Sequence, residues 1–108
     1  MSFNGNEGGV ITLTEGAKLT ANYRNAHPGN PNLVLGSFMG IKQINKILEQ
    51  PGCVGIRTYY GLTDRGVKQI VMVGVNADEN DLYEGVILDL THLCPPNCSV
   101  QNPLNSAL

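Results

Sequence analysis

Cys53-Val54-Gly55-Ile56-Arg57-Thr58-Tyr59-Tyr60-Gly61-Leu62, then Thr63-Asp64-Arg65-Gly66, then Val67-Lys68-Gln69-Ile70-Val71-Met72-Val73-Gly74-Val75-Asn76 is the stretch on which the fold turns. Both flanks are rich in β-branched and aromatic residues, and Gly66 supplies the positive φ that a four-residue hairpin loop commonly needs. The pattern predicts an antiparallel hairpin with Leu62 opposite Val67, pairing Tyr60 with Gln69, Thr58 with Val71, Ile56 with Val73 and Val54 with Val75. That face is the expected core face. The reverse face then carries Arg57, Tyr59, Ile70 and Met72 around Gly55 and Gly74. An aromatic, an aliphatic, a thioether and a forked donor form the mixture found where one protein surface meets another. These four are the expected binding residues, and a second copy of the chain or another protein is the expected partner. Cover by the N-terminal segment or by the loop of the last strand is the competing reading, and a small-ligand pocket is the third.

Outward from the hairpin, Pro51-Gly52 stops a preceding helix, expected over Phe38 to Gln50 with Ser37 as cap and Phe38, Ile41, Ile44 and Leu48 at helical spacing. Leu33-Val34-Leu35 reads as a short buried strand. Thr14 and Glu15 ahead of Ala17, Leu19, Ala21 and Tyr23 predict another helix, Thr14 to Ala26, capped by the Thr hydroxyl and favoured by the acid at its positive end. Val86, Leu88 and Leu90 alternate with Ile87 and Asp89 as a further strand. The expected fold is therefore α+β: a two-layer sandwich of a mostly antiparallel sheet of three to five strands with two helices on one face, centred on Ile56, Val71, Val73, Ile44 and Leu48. Residues 10–98 are the expected domain, with loosely held ends at 1–9 and 99–108.

A chain of 108 residues, 42% hydrophobic and 15% charged, suits one such domain. By area scaling it exposes about 6,000 Å² when folded. Seven basic residues against nine acidic ones give a net charge of −2 with no basic stripe, which argues against nucleic acid. No apolar run is long enough to span a membrane, and residues 1–6 carry no signal core, so a cytoplasmic protein is expected. Three cysteines, an odd number, fit a reducing compartment and leave at least one thiol free.

The chemical motifs do not compose a catalytic set. In His92-Leu93-Cys94-Pro95-Pro96-Asn97-Cys98, Pro96 and Asn97 suit a turn that folds Cys94 toward Cys98. Packed inert thiols are the preferred reading, which implies no cofactor. A zinc site of His92, Cys94, Cys98 and Cys53 is one alternative, short of a second Cys or His pair. A disulfide or thiol-redox pair is another, without a helix N-terminus to stabilise a thiolate. Cys53 as a nucleophile would need His27 or His92 as base, and no third, orienting residue can be placed. Asp78-Glu79-Asn80-Asp81-Leu82-Tyr83-Glu84 fails as a calcium loop, because Leu82 and Tyr83 stand where an oxygen ligand and a glycine are required.

Ile41 to Leu48 running into Gln50 to Gly61, then Val73-Gly74-Val75-Asn76-Ala77 and Cys94-Pro95-Pro96-Asn97-Cys98, resembles a group of small single-domain bacterial proteins with no established activity. The resemblance covers Ile11 to Cys98 and implies a bacterial, stand-alone protein. It assigns no site residue. The expected function is a non-catalytic interaction module that associates with itself through the outer face of the hairpin, with the metal or thiol-redox role of Cys94 and Cys98 as the alternative.

Overall fold

The computed structural model describes residues 2–106. Its elements run α1 (Leu13–Asn25), β1 (Gly36–Phe38), α2 (Ile41–Leu48), β2 (Cys53–Leu62), β3 (Lys68–Asn76), β4 (Ile87–Leu88) and β5 (His92–Cys94). Two helices and two antiparallel sheets make a small α+β fold with no barrel. The strands fall into a three-stranded sheet of order β2-β3-β4 and a two-stranded sheet of β1 with β5. Two compact units result: residues 2–8 with Met39–Thr91, and Gly9–Phe38 with residues 92–106. Among the described residues no helix is long and apolar enough to cross a membrane.

In the first unit the hairpin occupies the expected strands, but its register differs by one place. Leu62 pairs with Lys68, Tyr60 with Ile70, Thr58 with Met72 and Ile56 with Gly74. The loop is the cause. Gly66 has φ +81°, its N–H donates to Thr63 O (2.8 Å), and the Thr63 N–H donates to Val67 O (2.9 Å). Val67 N–H is taken by the Thr63 hydroxyl at 3.0 Å. Thr63 and Val67 are therefore the last pair, and only Asp64, Arg65 and Gly66 remain in the loop, the three-residue form that ends on a left-handed glycine.

Paired residues share a face, so this slip turns β3 over relative to expectation. Gly74, not Val73, faces α2: a Cβ there would stand 2.8 Å from Gln50 Nε2 and 3.2 Å from both Ile47 Cγ2 and Cys53 Sγ. Ile47 is fully buried, whereas Leu48 and Ile41 of the expected core stripe are 47% and 73% exposed. The helix begins at Ile41 behind Gly40, later than the expected Ser37 cap, because Gly36–Phe38 is paired with β5. Gln50 secures the end of α2, donating to Ile47 O (3.0 Å) and accepting from Val86 N–H (2.8 Å). Burying Ile47, Val73, Val75 and Leu88 supplies the core, at roughly 1.5–3 kcal/mol per side chain before entropy is counted.

In the second unit α1 is capped by Thr12, not Thr14. Thr12 and Glu15 form a reciprocal box: the Thr12 hydroxyl accepts from Glu15 N–H (3.1 Å), and the Glu15 carboxylate accepts from Thr12 N–H (3.1 Å). Two orphan donors at the start of the helix are satisfied at once, which Thr14 has no acid at the right distance to do. Leu33-Val34-Leu35 stays irregular, and the strand begins one residue later, at the Gly36–Cys94 pair. Val34 O instead accepts the Tyr23 hydroxyl at 2.9 Å.

The packing beneath α2 separates two glycines of the same hairpin. Gly74→Ala forces Gln50, Cys53 and Ile47 apart and should destabilise the fold by about 1–3 kcal/mol. Gly55→Ala, where a Cβ meets nothing within 4 Å, should be neutral or stabilise by up to about 1 kcal/mol. Urea unfolding of the two variants checks the contrast.

Candidate functional site

The register decides which groups of the hairpin are available. Because the Thr63 N–H donates to Val67 O nearest the loop, alternation along an antiparallel ladder gives the inward bonds to Gly61, Tyr59, Arg57 and Gly55. The N–H and C=O of Ile56, Thr58, Tyr60 and Leu62 point away from β3. On β3 the same alternation turns Gly74 O away from β2, where it accepts Leu82 N–H at 2.8 Å. β2 is an edge strand, and no backbone bond from outside the sheet reaches its four outward residues among the described residues. Tyr60 and Leu62 on that edge are 84% and 71% exposed.

The four residues expected to share one binding surface lie on two faces. Arg57 and Tyr59 pair with Val73 and Val71, opposite α2, whereas Ile70 and Met72 pair with Tyr60 and Thr58 on the α2 side. The first pair is engaged within the chain. Arg57 Nη1 donates to Asp81 Oδ1 (2.6 Å), and the Tyr59 hydroxyl donates to Asp81 Oδ2 (2.5 Å). Arg57 also lies 5.9 Å from the centre of the Phe3 ring, within reach of a cation–π attraction. Phe3 is held by its N–H, which donates to Ala77 O at 2.9 Å. A cavity of about 430 Å³ between residues 3–7 and β2 remains beside Arg57.

A tight turn delivers Asp81. The Asn76 side chain accepts from the N–H groups of Asp78 and Asn80, both at 3.0 Å, while Asn76 N–H donates to Asn80 O at 3.0 Å. Glu79 takes a positive φ of 70° at the corner. Asp81 then bridges to Val75, on the face that holds Arg57 and Tyr59. The Tyr59 hydroxyl, and after it Arg57, holds the Asp81 carboxyl below its ordinary value against partial burial. Hydrogen bonding to Asp81 raises both Arg57 and Tyr59 above theirs. The acidic loop is thus a structural clip, and its carboxylate is already occupied by the hairpin.

The cysteines divide differently from expectation. Cys94 and Cys98 form a disulfide with Cα atoms 4.7 Å apart, so the preferred reading of two packed thiols is corrected: the Pro96-Asn97 turn closes the loop far enough for the sulfurs to bond. Neither sulfur is then a free thiolate for zinc, and Cys53 and His92 belong to different units. Among the described residues no three His, Cys, Asp or Glu side chains gather as a metal site. His92 is exposed on β5, opposite Phe38. Cys53 keeps its thiol and donates to Gly55 O at 3.2 Å, and both histidines belong to the other unit.

The sequence points to no role for Asp81 or Phe3, and Tyr60, expected on the core face opposite Gln69, pairs with Ile70 and is 84% exposed. Asn76 and Asn80 bracketing the loop signal the turn that carries Asp81 to the sheet, whereas Phe3 stands alone in a polar segment and signals nothing. Comparison with known protein families, with curated proteins and with solved structures finds no match to this chain.

Asp81 ties stability to pH. Its folded-state pKa is lowered, so its contribution is present above the ordinary carboxylate value and is lost as pH falls through the lowered one. Asp81→Asn should melt at a lower temperature than the wild type at neutral pH, and the two melting curves should converge as the pH is taken below the carboxylate range. Thermal melts followed by circular dichroism across that range make the comparison.

Proposed function

We propose that this chain is a non-catalytic interaction module that associates with itself by pairing the outer edge of β2 with the same edge of a second copy. The observation that carries this reading is the state of that edge. Natural sheets protect an edge with charges, prolines, bulges or a covering segment. The ten residues of β2 contain no proline and one charge, Arg57, which is folded back onto Asp81. The single bulge lies at Cys53/Gly55, at the far end from the exposed half. Thr58, Tyr60 and Leu62 therefore offer unpaired donors and acceptors alongside exposed aromatic and aliphatic surface, the combination that strand addition uses.

Antiparallel β2–β2 pairing is isologous, so one edge serves both copies and the contact closes as a dimer. Tyr59 lies on the edge strand itself and gains a neighbouring copy by the pairing, whereas Ile70 and Met72 lie one strand in, on β3, behind Tyr60 and Thr58. The bacterial, cytoplasmic setting expected from the sequence belongs to this proposal, the compartment on the membrane-span and signal arguments alone, because the Cys94–Cys98 disulfide removes the cysteine argument for a reducing compartment. No small ligand or cofactor is required by it.

Sedimentation tests the reading. The wild type should dimerise at concentrations on the order of tens of micromolar. Thr58→Pro removes an outward donor without breaking the ladder to β3, and Tyr60→Lys places a charge on the edge; each should give a folded monomer. A wild type that stays monomeric at roughly millimolar concentration, or folded variants that still dimerise, would overturn it.

A further inference from the structure

We propose that the Cys94–Cys98 disulfide is a thiol–disulfide exchange site for a small thiol that carries carboxylates. The supporting geometry lies within the second unit. Arg24 in the last turn of α1 is held by its bond to Leu104 O (3.0 Å). The His27 ring meets that of Tyr23 at a tilt of 58° with centres 5.0 Å apart, and the His27 backbone N–H donates to Arg24 O at 3.1 Å. The chain then bends through Gly29, at φ +73°, and returns so that Leu35 N–H donates to Cys94 O at 2.8 Å. The result is a cavity of about 340 Å³ whose wall includes Arg24, His27, Pro31, Leu33, Pro95 and Cys98. Among the described residues no carboxylate lines it.

A disulfide sulfur beside a cavity lined by basic and apolar groups has a clear use. The guanidinium of Arg24 at the wall raises the local concentration of an anionic thiol, and the apolar stretch of the same wall accommodates its stem. Cys98 is exposed and Cys94 half-buried, and Cys98 is the cysteine that lines the cavity, so the attack is assigned to Cys98. The bridge spans a sequence separation of 4, and so short a closure contributes less to the fold than a long one does. Exposed bridges of this kind are the exchangeable ones, in contrast to buried structural disulfides.

The exchange balances in two steps. The incoming thiolate attacks Cys98 Sγ, a bond forms between the two sulfurs, the Cys94–Cys98 bond breaks, and its electron pair leaves on Cys94 as a thiolate. A second thiolate attacks the sulfur of the first thiol in the mixed disulfide, releasing the small-molecule disulfide and a Cys98 thiolate. Both cysteine thiolates take protons from water. Two thiols are oxidised to one disulfide, and the protein disulfide is reduced to a dithiol.

Reduced glutathione and neutral β-mercaptoethanol are the probes, with the cyclic peptide Cys-Pro-Pro-Asn-Cys as the reference lacking the cavity. Glutathione should reduce the protein about tenfold faster than the peptide, and Arg24→Gln should remove most of that advantage while leaving the β-mercaptoethanol rate unchanged. In Cys94→Ser treated with oxidised glutathione, exchange should release one reduced glutathione and leave one glutathionyl group on Cys98, found by peptide mapping, with Cys53 unmodified. Equal glutathione rates for protein and peptide would overturn the proposal. So would an equal loss with both thiols in folded Arg24→Gln, or attachment to Cys53 instead of Cys98. The readout is independent of association through β2, because the Thr58→Pro monomer should exchange at the wild-type rate.

Discussion

Gly66 takes a φ of +81°, and this one backbone angle propagates through the larger unit. It allows the hairpin to close with Asp64, Arg65 and Gly66 in the loop, so Thr63 pairs with Val67 and every later pair follows. The phase of the ladder then settles two matters together. It places Gly74 beneath Ile47, where the absence of a Cβ lets helix and sheet meet. It also directs the backbone of Ile56, Thr58, Tyr60 and Leu62 to the open edge. A side chain with a Cβ at position 66 would bear a steric cost in that conformation, and a four-residue loop would exchange the two faces of β3.

The opposite face shows how the chain covers valines that a simple two-layer sandwich would leave wet. Val73 and Val75 are each 3% exposed. Their surroundings are polar in composition: Arg57, Tyr59 and Asp81 form a connected network, with Phe3 brought in by the bond to Ala77 O. The network holds its charges in pairs, which is how charged groups become compatible with a partly buried site. It has a second effect, because Arg57 is the only charge in β2 and its engagement by Asp81 leaves the distal edge without electrostatic protection. The feature that closes one face therefore also leaves the edge open to a second strand.

Much of the fold is legible in the residues, and the failures have local physical causes. The bounds of β2 and the existence of β3, two helices and antiparallel pairing follow from β-branched runs, helical spacing and turn residues. The register does not, since Thr63-Asp64-Arg65-Gly66 is compatible with loops of three or four residues, and the shorter one is favoured by a local bond of the Thr63 hydroxyl to Val67 N–H that strand alternation does not reveal. Thr12 rather than Thr14 is the cap, and Glu15 three residues beyond Thr12 is its signal in the residues. Ile47 is adjacent on the helix to the expected Ile41, Ile44 and Leu48 stripe, and only docking on Gly74 selects between the two. Of the candidate site, Arg57 and Tyr59 were identified as a pair with a common face. Their partner, Asp81, lies over twenty residues away and is brought in by an Asn76-anchored turn. The Cys94–Cys98 pairing was among the readings considered, but spacing alone does not distinguish bonded sulfurs from packed ones.

From Gly55 to Gly61 the odd-numbered residues of β2 bond inward to β3 and the even-numbered ones face the open edge proposed to meet a second copy, and residue-resolved amide hydrogen exchange reads that alternation directly. The amides of Arg57, Tyr59 and Gly61 should exchange slowly at every protein concentration. Those of Ile56, Thr58, Tyr60 and Leu62 should exchange fast in dilute solution and become protected as the protein is concentrated. Protection of the even set in the dilute monomer, or fast exchange of that set at all concentrations, would contradict the account.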